Sequence, residues 1–315
     1  MSLTNGRRAS LVIGTRGSQL ALWQAEWVQA RLQEIAPSVS IRLERIRTSG
    51  DKILDVPLAK IGGKGLFVKE IEEALSRGDI DLAVHSMKDV PSVLPEGLAI
   101  VCIPVREDAR DALLTRDRVA FQDLPAGAKV GTSSLRRQAQ LLAHRPDLNV
   151  VMLRGNVNTR LRKLQEGEFD AIVLAAAGLT RLGWARHVTE YLPPALSLPA
   201  VGQGALGIES RADDTFVREL LDPINDHLTS MAVSAERAFL DRLEGGCQVP
   251  IAGHAVIEDR TVQFEGLVAS VDGTQVIRDR IEGPVEQAAP LGTALADRIL
   301  SAGGRQILDR IYGRV

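Results

Sequence analysis

Leu11-Val12-Ile13-Gly14-Thr15-Arg16-Gly17-Ser18 is the stretch whose reading decides the fold. Its apolar start reads as a short buried strand, and from Ser18 onward Leu20, Trp23, Trp27 and Ala30 recur at helical spacing as far as Ile35. A strand therefore runs into a helix through a turn of small residues. The amide N–H groups of such a turn can hold an anion at the helix start, although Ser18 suits a plain N-cap equally well. The same order returns 117 residues downstream in Val130-Gly131-Thr132-Ser133-Ser134-Leu135-Arg136-Arg137. That spacing is about one domain length. The echo argues for two similar α/β lobes, each turning an amide-rich helix start and arginine toward a shared cleft.

Working outward, Val39 to Arg45 alternates as a strand, and the polar stretch Thr48 to Gly65, with Lys52, Lys60 and Lys64, is long enough to be a loop of its own. Gly65 to Arg77 has a helical period, and Ile80 to Val84 reads as a buried strand. It leads into His85-Ser86-Met87-Lys88-Asp89-Val90-Pro91. Ligands gather at the carboxyl ends of strands in such sheets, which makes Asp89 the candidate carboxylate; its plain alternative is a turn-former before a proline. Further strands at 149–153 and 170–174 are followed by Arg154, Arg160 and Arg181 in loop or first-turn positions, where solvated surface charge is the ordinary role.

Gly202 to Glu209 reads as a strand crossing back to the first lobe. On a strand, its Gly-x-Gly-x-x-Gly spelling is no nucleotide fingerprint. Asp213 to Leu243 reads as helices broken at Pro223, Ala252 to Glu282 as a meander of about three strands, and two helices follow, roughly Pro284–Ser301 and Arg305–Tyr312. The expected architecture is α/β: two doubly wound lobes plus a small α+β C-terminal domain with a three-stranded antiparallel sheet.

Composition narrows the function. At 315 residues and 45% hydrophobic the chain can bury several cores, and no run of about 18 apolar residues predicts a membrane helix. The first ten residues lack the apolar run of a secretion signal, so a cytoplasmic protein is expected. A net charge of −2 argues against nucleic acid as a partner. Of 38 cations 31 are arginine, whose planar fork pairs with carboxylate or phosphate at two points; genomic base composition also raises the total, so only placement can decide. There is no Cys-x-x-Cys, no His-x-x-x-His and no Walker loop, which removes a dedicated metal site and a nucleotide cradle.

Two cysteines remain. Cys102 lies in the apolar run Leu98 to Ile103 and reads as structural. Cys247 sits in Leu243-Glu244-Gly245-Gly246-Cys247-Gln248-Val249-Pro250, where two glycines and a proline favour an exposed loop tip and make its sulfur the candidate covalent handle. A thiol plugging a corner of the core is the alternative. Taken alone, these residues leave open an enzyme, a carboxylate-binding module without turnover, and a cysteine hydrolase.

The order of long motifs closes that gap. From Leu11 onward, through Lys60-Ile61-Gly62-Gly63-Lys64-Gly65-Leu66-Phe67, Val84 to Pro91, Gly131 to Arg137, Leu153-Arg154-Gly155-Asn156 and Leu243 to Pro250, the chain closely resembles the porphobilinogen deaminases, also called hydroxymethylbilane synthases. The resemblance implies three domains, with residues 1–104 and 203–222 in the first, 105–202 in the second and 223–315 in the third. It implies a dipyrromethane cofactor joined to Cys247 by a thioether, to which four porphobilinogen units are added with loss of ammonia before hydroxymethylbilane is freed by hydrolysis. Asp89 would be the catalytic carboxylate. Lys88, Asp89, Thr132, Ser134, Arg136, Arg137, Gly155 and Arg160 would hold the cofactor, and Arg16, Ser18, Lys60, Lys64, Arg154, Arg160, Arg181 and Gln203 the substrate. The family expectation is a monomer.

Overall fold

The computed structural model describes residues 8–52, 68–245 and 249–314. Three residues assigned to the site from sequence, Lys60, Lys64 and Cys247, lie outside the described residues, as do most of the 48–65 stretch and the start of the helix expected from Gly65.

The first half runs β1 (Ser10–Thr15), α1 (Gln19–Ile35), β2 (Ser40–Arg45), α2 (Ser49–Lys52), α3 (Lys69–Arg77), β3 (Leu82–Ser86) and β4 (Leu98–Cys102). Then come β5 (Asp111–Thr115), β6 (Lys129–Gly131), α4 (Leu135–His144), β7 (Asn149–Val151), α5 (Val157–Gln165), β8 (Ala171–Ala175), α6 (Ala176–Arg181) and β9 (Glu190–Leu192). The chain continues through β10 (Leu206–Arg211), α7 (Thr215–Leu221) and α8 (His227–Arg242) into β11 (Ile251–Glu258), β12 (Thr261–Ala269), β13 (Val276–Pro284), α9 (Ala288–Ile299) and α10 (Arg305–Tyr312).

The echo read in the sequence is a repeat of architecture. One sheet has the order β2-β1-β3-β10-β4 and the other β7-β6-β8-β5-β9. In each, the first three strands are parallel and the fourth is antiparallel to its neighbours. Gly14 and Gly131 occupy matching places near the ends of β1 and β6. A Cβ on Gly14 would lie 2.3 Å from Ile80 Cδ1, and one on Gly131 would lie 2.8 Å from Phe169 Cδ1. Both positions admit only glycine unless the neighbouring side chain moves. Strand β10, which follows the second sheet in the chain, returns to pair with β3 as expected, but it begins at Leu206 rather than Gly202. Gly202 and Gly204 have φ of 70° and 89°, so they form the turn before the strand.

Helix α1 forms where its spacing predicts, but its buried face is Gln24, Ala25, Val28 and Leu32. Of the stripe read from the sequence, Ala30 is exposed and the tryptophans are only half-buried. Bulk aromatic residues at the edge of a buried stripe shift its apparent centre. Leu20, at the helix start, packs between the lobes: a Cβ on Gly178 of α6 would lie 3.5 Å from its Cδ2.

The third unit is the expected meander β11-β12-β13. Asp259 and Arg260, with φ of 47° and 61°, form the two-residue turn that joins β11 to β12. Helices α8 and α9 cover one face, with Phe239 edge-on to Phe264 at 5.2 Å. The tip of the β12–β13 hairpin leans on the second lobe, because a Cβ on Gly273 would come within 2.5 Å of Ala139 O in α4.

Candidate active site

Local rules place the first of the residues nominated from sequence. Ser18 Oγ accepts from Ala21 N at 3.3 Å and Ser134 Oγ from Arg137 N at 3.4 Å, so both serines cap their helices. Thr132 Oγ1 accepts from Ser134 N at 3.2 Å and holds the second turn closed. The plain N-cap reading and the ligand reading therefore fall on the same atoms. Gly155 has φ of 112°, a backbone conformation that lets the chain turn from Arg154 into α5.

Asp89 ends a short 3-10 turn, Met87–Asp89, at the carboxyl end of β3. Around it the charges converge from both lobes. Lys88 is pushed down to about 8 by burial, with Asp89, Arg137, Asp111 and Arg136 as its charged neighbours. Arg160 is pushed down to about 10 by burial and by Arg137 and Arg154, while Asp89 opposes the shift. Its Nε donates to Gly155 O at 2.8 Å. Five cations thus share a neighbourhood with two carboxylates, Asp89 and Asp111.

Asp111 is the residue that the sequence reading missed. It is fully buried at the start of β5, pairs with Arg136 Nη1 and Arg137 Nη2 at 2.8 Å each, and also accepts from Ser197 Oγ and Gln203 Nε2. The two guanidinium groups hold its carboxyl far below the usual range despite burial. The sequence held only half of the signal: two adjacent arginines at a helix start need a counter-ion, but their neighbours in the chain do not name it. Arg136 also donates to Leu198 O at 2.5 Å and Arg137 to Val173 O at 3.0 Å. Arg136 Nε is buried without a hydrogen-bond partner among the described residues.

Other assigned residues sit nearer the crossings between lobes. Gln203 is 1% exposed; its Nε2 donates to Ala109 O and Asp111 Oδ1, and its Oε1 accepts from Arg137 Nη2. Arg181 is the last residue of α6, not in a loop or first turn as its sequence suggests, because the apolar Ala176–Leu179 run is itself a buried helix. Its Nη2 donates to Gly204 O at 2.7 Å, and burial pushes it down to about 10. Arg16 and Arg154, both half-buried, follow β1 and β7 at the carboxyl ends of their strands. Cys102 is buried and burial pushes its thiol up to about 12, which fits the structural role read for it.

Behind β3, a second charged group lies outside this neighbourhood. His85 Nε2 is 2.9 Å from Glu209 Oε2, and Glu72 is pushed up to about 7 by burial and by the Glu209 charge, with His85 opposing.

Residues 11–219 match the family model for the porphobilinogen deaminase dipyrromethane cofactor binding domain, and residues 230–301 the model for the porphobilinogen deaminase C-terminal domain. The chain belongs to the porphobilinogen deaminase family. A porphobilinogen deaminase of Geobacter sulfurreducens is 60% identical over 304 residues, 96% of this chain and 95% of that one. Another, of Syntrophotalea carbinolica, is 61% identical over 300 residues, 95% of each. Among solved structures, an arginine-specific periplasmic binding protein of Salmonella typhimurium overlaps at 14% identity and a TM-score of 0.40, covering 71% of this chain and 94% of that one. The lobe architecture of the family member stands on its own strand orders instead. No helix among the described residues is long and apolar enough to cross a membrane.

Proposed function

We propose that this protein condenses four molecules of porphobilinogen head to tail onto a dipyrromethane held by a thioether on Cys247, releasing ammonia at each addition and hydroxymethylbilane by hydrolysis at the end. The reading is supported chiefly by the convergence of Lys88, Arg136, Arg137, Arg154 and Arg160 on the neighbourhood of Asp89, a set of donors suited to carboxylate groups. The donor set suits a pyrrole group bearing acetate and propionate, and Arg136 Nε is a buried donor left without a partner among the described residues.

Lys88, Thr132, Ser134, Arg136, Arg137, Gly155 and Arg160 would hold the cofactor, which supplies the free pyrrole end that accepts each new unit. Arg16, Ser18, Lys60, Lys64, Arg154, Arg160, Arg181 and Gln203 would receive the carboxylates of the incoming substrate. Asp89 is the catalytic group. When the aminomethyl C–N bond of a substrate breaks and ammonia leaves, positive charge spreads over its pyrrole ring, and a fixed anion near the ring N–H stabilises that charge where it develops. The arginines of both lobes neutralise carboxylates as the product lengthens, and tethering raises the effective concentration of its growing end.

The domain division that goes with this function is 1–104 with 203–222, 105–202, and 223–315. The protein acts as a cytoplasmic monomer without nucleic acid or membrane partners. Intact-mass measurement tests the reading: the purified chain should exceed its polypeptide mass by a dipyrromethane, porphobilinogen should add a ladder of pyrrole-sized increments, and Cys247→Ser should lack both. Acidic dimethylaminobenzaldehyde should colour the wild type only. A wild type of bare polypeptide mass that still turns over porphobilinogen would refute it.

A further inference from the structure

Helix α8 ends in a hydrogen-bonded pattern that ordinarily takes glycine. Glu244 N donates to Asp241 O at 2.8 Å and Gly245 N to Leu240 O at 2.9 Å, a Schellman closure whose left-handed position is Glu244, at φ 54°. Glycine stands one residue later, at Gly245. An acid at this place is doubly unfavourable, through its Cβ in a left-handed conformation and through its charge at the negative end of a helix.

What offsets both comes from the far end of the chain. Tyr312 Oη donates to Glu244 O at 2.8 Å, Arg314 Nη1 pairs with Glu244 Oε2 at 2.9 Å, and Arg305 Nη1 lies 3.7 Å from Oε1. The Arg314 guanidinium also lies 4.8 Å from the Tyr312 ring centroid, so the two clasping side chains support each other. Arg314 and Arg305 together hold the Glu244 carboxyl below its ordinary range. These ion pairs are largely exposed, and exposed pairs add little to stability. Their geometric effect is to fix the direction in which the chain leaves α8.

We propose that Glu244 is a positioning residue, clasped by the C-terminal segment through Tyr312, Arg314 and Arg305 so that the chain leaves α8 at Gly245 in one direction. The proposal rests on the reading of Cys247, three residues on in sequence, as the anchor and adds that turnover depends on the clasp at Glu244. A glycine at 244 would fit the Schellman position better than glutamate does, so stability and positioning should part company.

The test uses full-length loaded enzyme, wild type beside Glu244→Gly and Tyr312→Phe. Glu244→Gly should melt at or above the wild-type temperature. Amide exchange at Ile251 should quicken about tenfold in both variants while α8 and the rest of the β11–β13 sheet stay protected. The kcat should fall about tenfold with KM for porphobilinogen unchanged, as expected of a misplaced reacting group. Unchanged exchange with unchanged kcat overturns the proposal, and so does a kcat loss that only follows a lowered melting temperature. A wild type lacking the dipyrromethane mass increment refutes the anchor reading instead, and the exchange and melting measurements still decide the clasp.

Discussion

The single residues that matter here are charges in places where water cannot reach them fully. Asp89→Asn keeps shape and removes the anion, so kcat should fall by about 10²-fold or more while the mass increment of the cofactor remains; a near-normal kcat would reject the assignment. Asp111→Ala leaves Arg136 and Arg137 buried without their shared counter-ion. We expect a loss of about 3–5 kcal/mol in denaturant unfolding, alongside impaired loading of the cofactor. Glu72 gives a pH signature of the opposite kind. Its folded value of about 7 lies above the ordinary 4.5, so the folded protein keeps a proton that the unfolded chain releases between those values. Stability from this group is full below about pH 4.5 and is lost as pH rises through 7. Glu72→Gln should therefore stabilise the protein at pH 8 by about 1–3 kcal/mol, with the gain shrinking toward pH 5, read from urea midpoints at the two pH values.

At the scale of elements, helix α4 carries Arg136 and Arg137 and is braced from outside by the β12–β13 hairpin. Gly273 makes the contact possible: its φ is 72°, and an added Cβ would meet Ala139 O and Ala143 N at 2.5 and 2.6 Å. Gly273→Ala must strain the turn and push the hairpin from α4, so a loss of about 1–3 kcal/mol in thermal or urea unfolding is expected. The elements themselves were largely readable. Alternating and helical periods located β1, α1, β2, α4, β7, β8 and the final meander, because one-sided burial imposes a period on sequence. Strands β5 and β9 were not read. Strand β9 has only three residues, and β5, set between Arg110 and Arg116, is buried from end to end, so neither carries an alternation that a pattern could expose.

Across the whole molecule, Glu236 of α8 ties three segments together. It is fully buried and pairs with Arg106 Nη1 at 2.6 Å, on the first crossing between lobes. Its Oε2 accepts from Gly202 N on the return crossing, and its Oε1 accepts from Ala255 N in β11. Glu236→Ala should uncouple the meander from the lobes, so calorimetry should resolve two melting transitions where the wild type shows one. A single transition at the wild-type temperature would show that the carboxylate is not the tie.

Sequence alone determined the two-lobe plan, the three-stranded end unit, the structural role of Cys102, and a family whose motifs nominate Asp89 and Cys247. Those features are local: a period, a cap, a glycine turn or an ordered motif is written in neighbouring residues. Only the tertiary structure decided that Asp111 neutralises both arginines of α4, that Glu209 and Glu72 crowd each other behind β3, and that the C-terminal helix grips Glu244. Each joins residues at least 25 positions apart, and nothing in a chain's local pattern records which distant charge a fold will bring within about 3 Å, where burial makes the pairing matter.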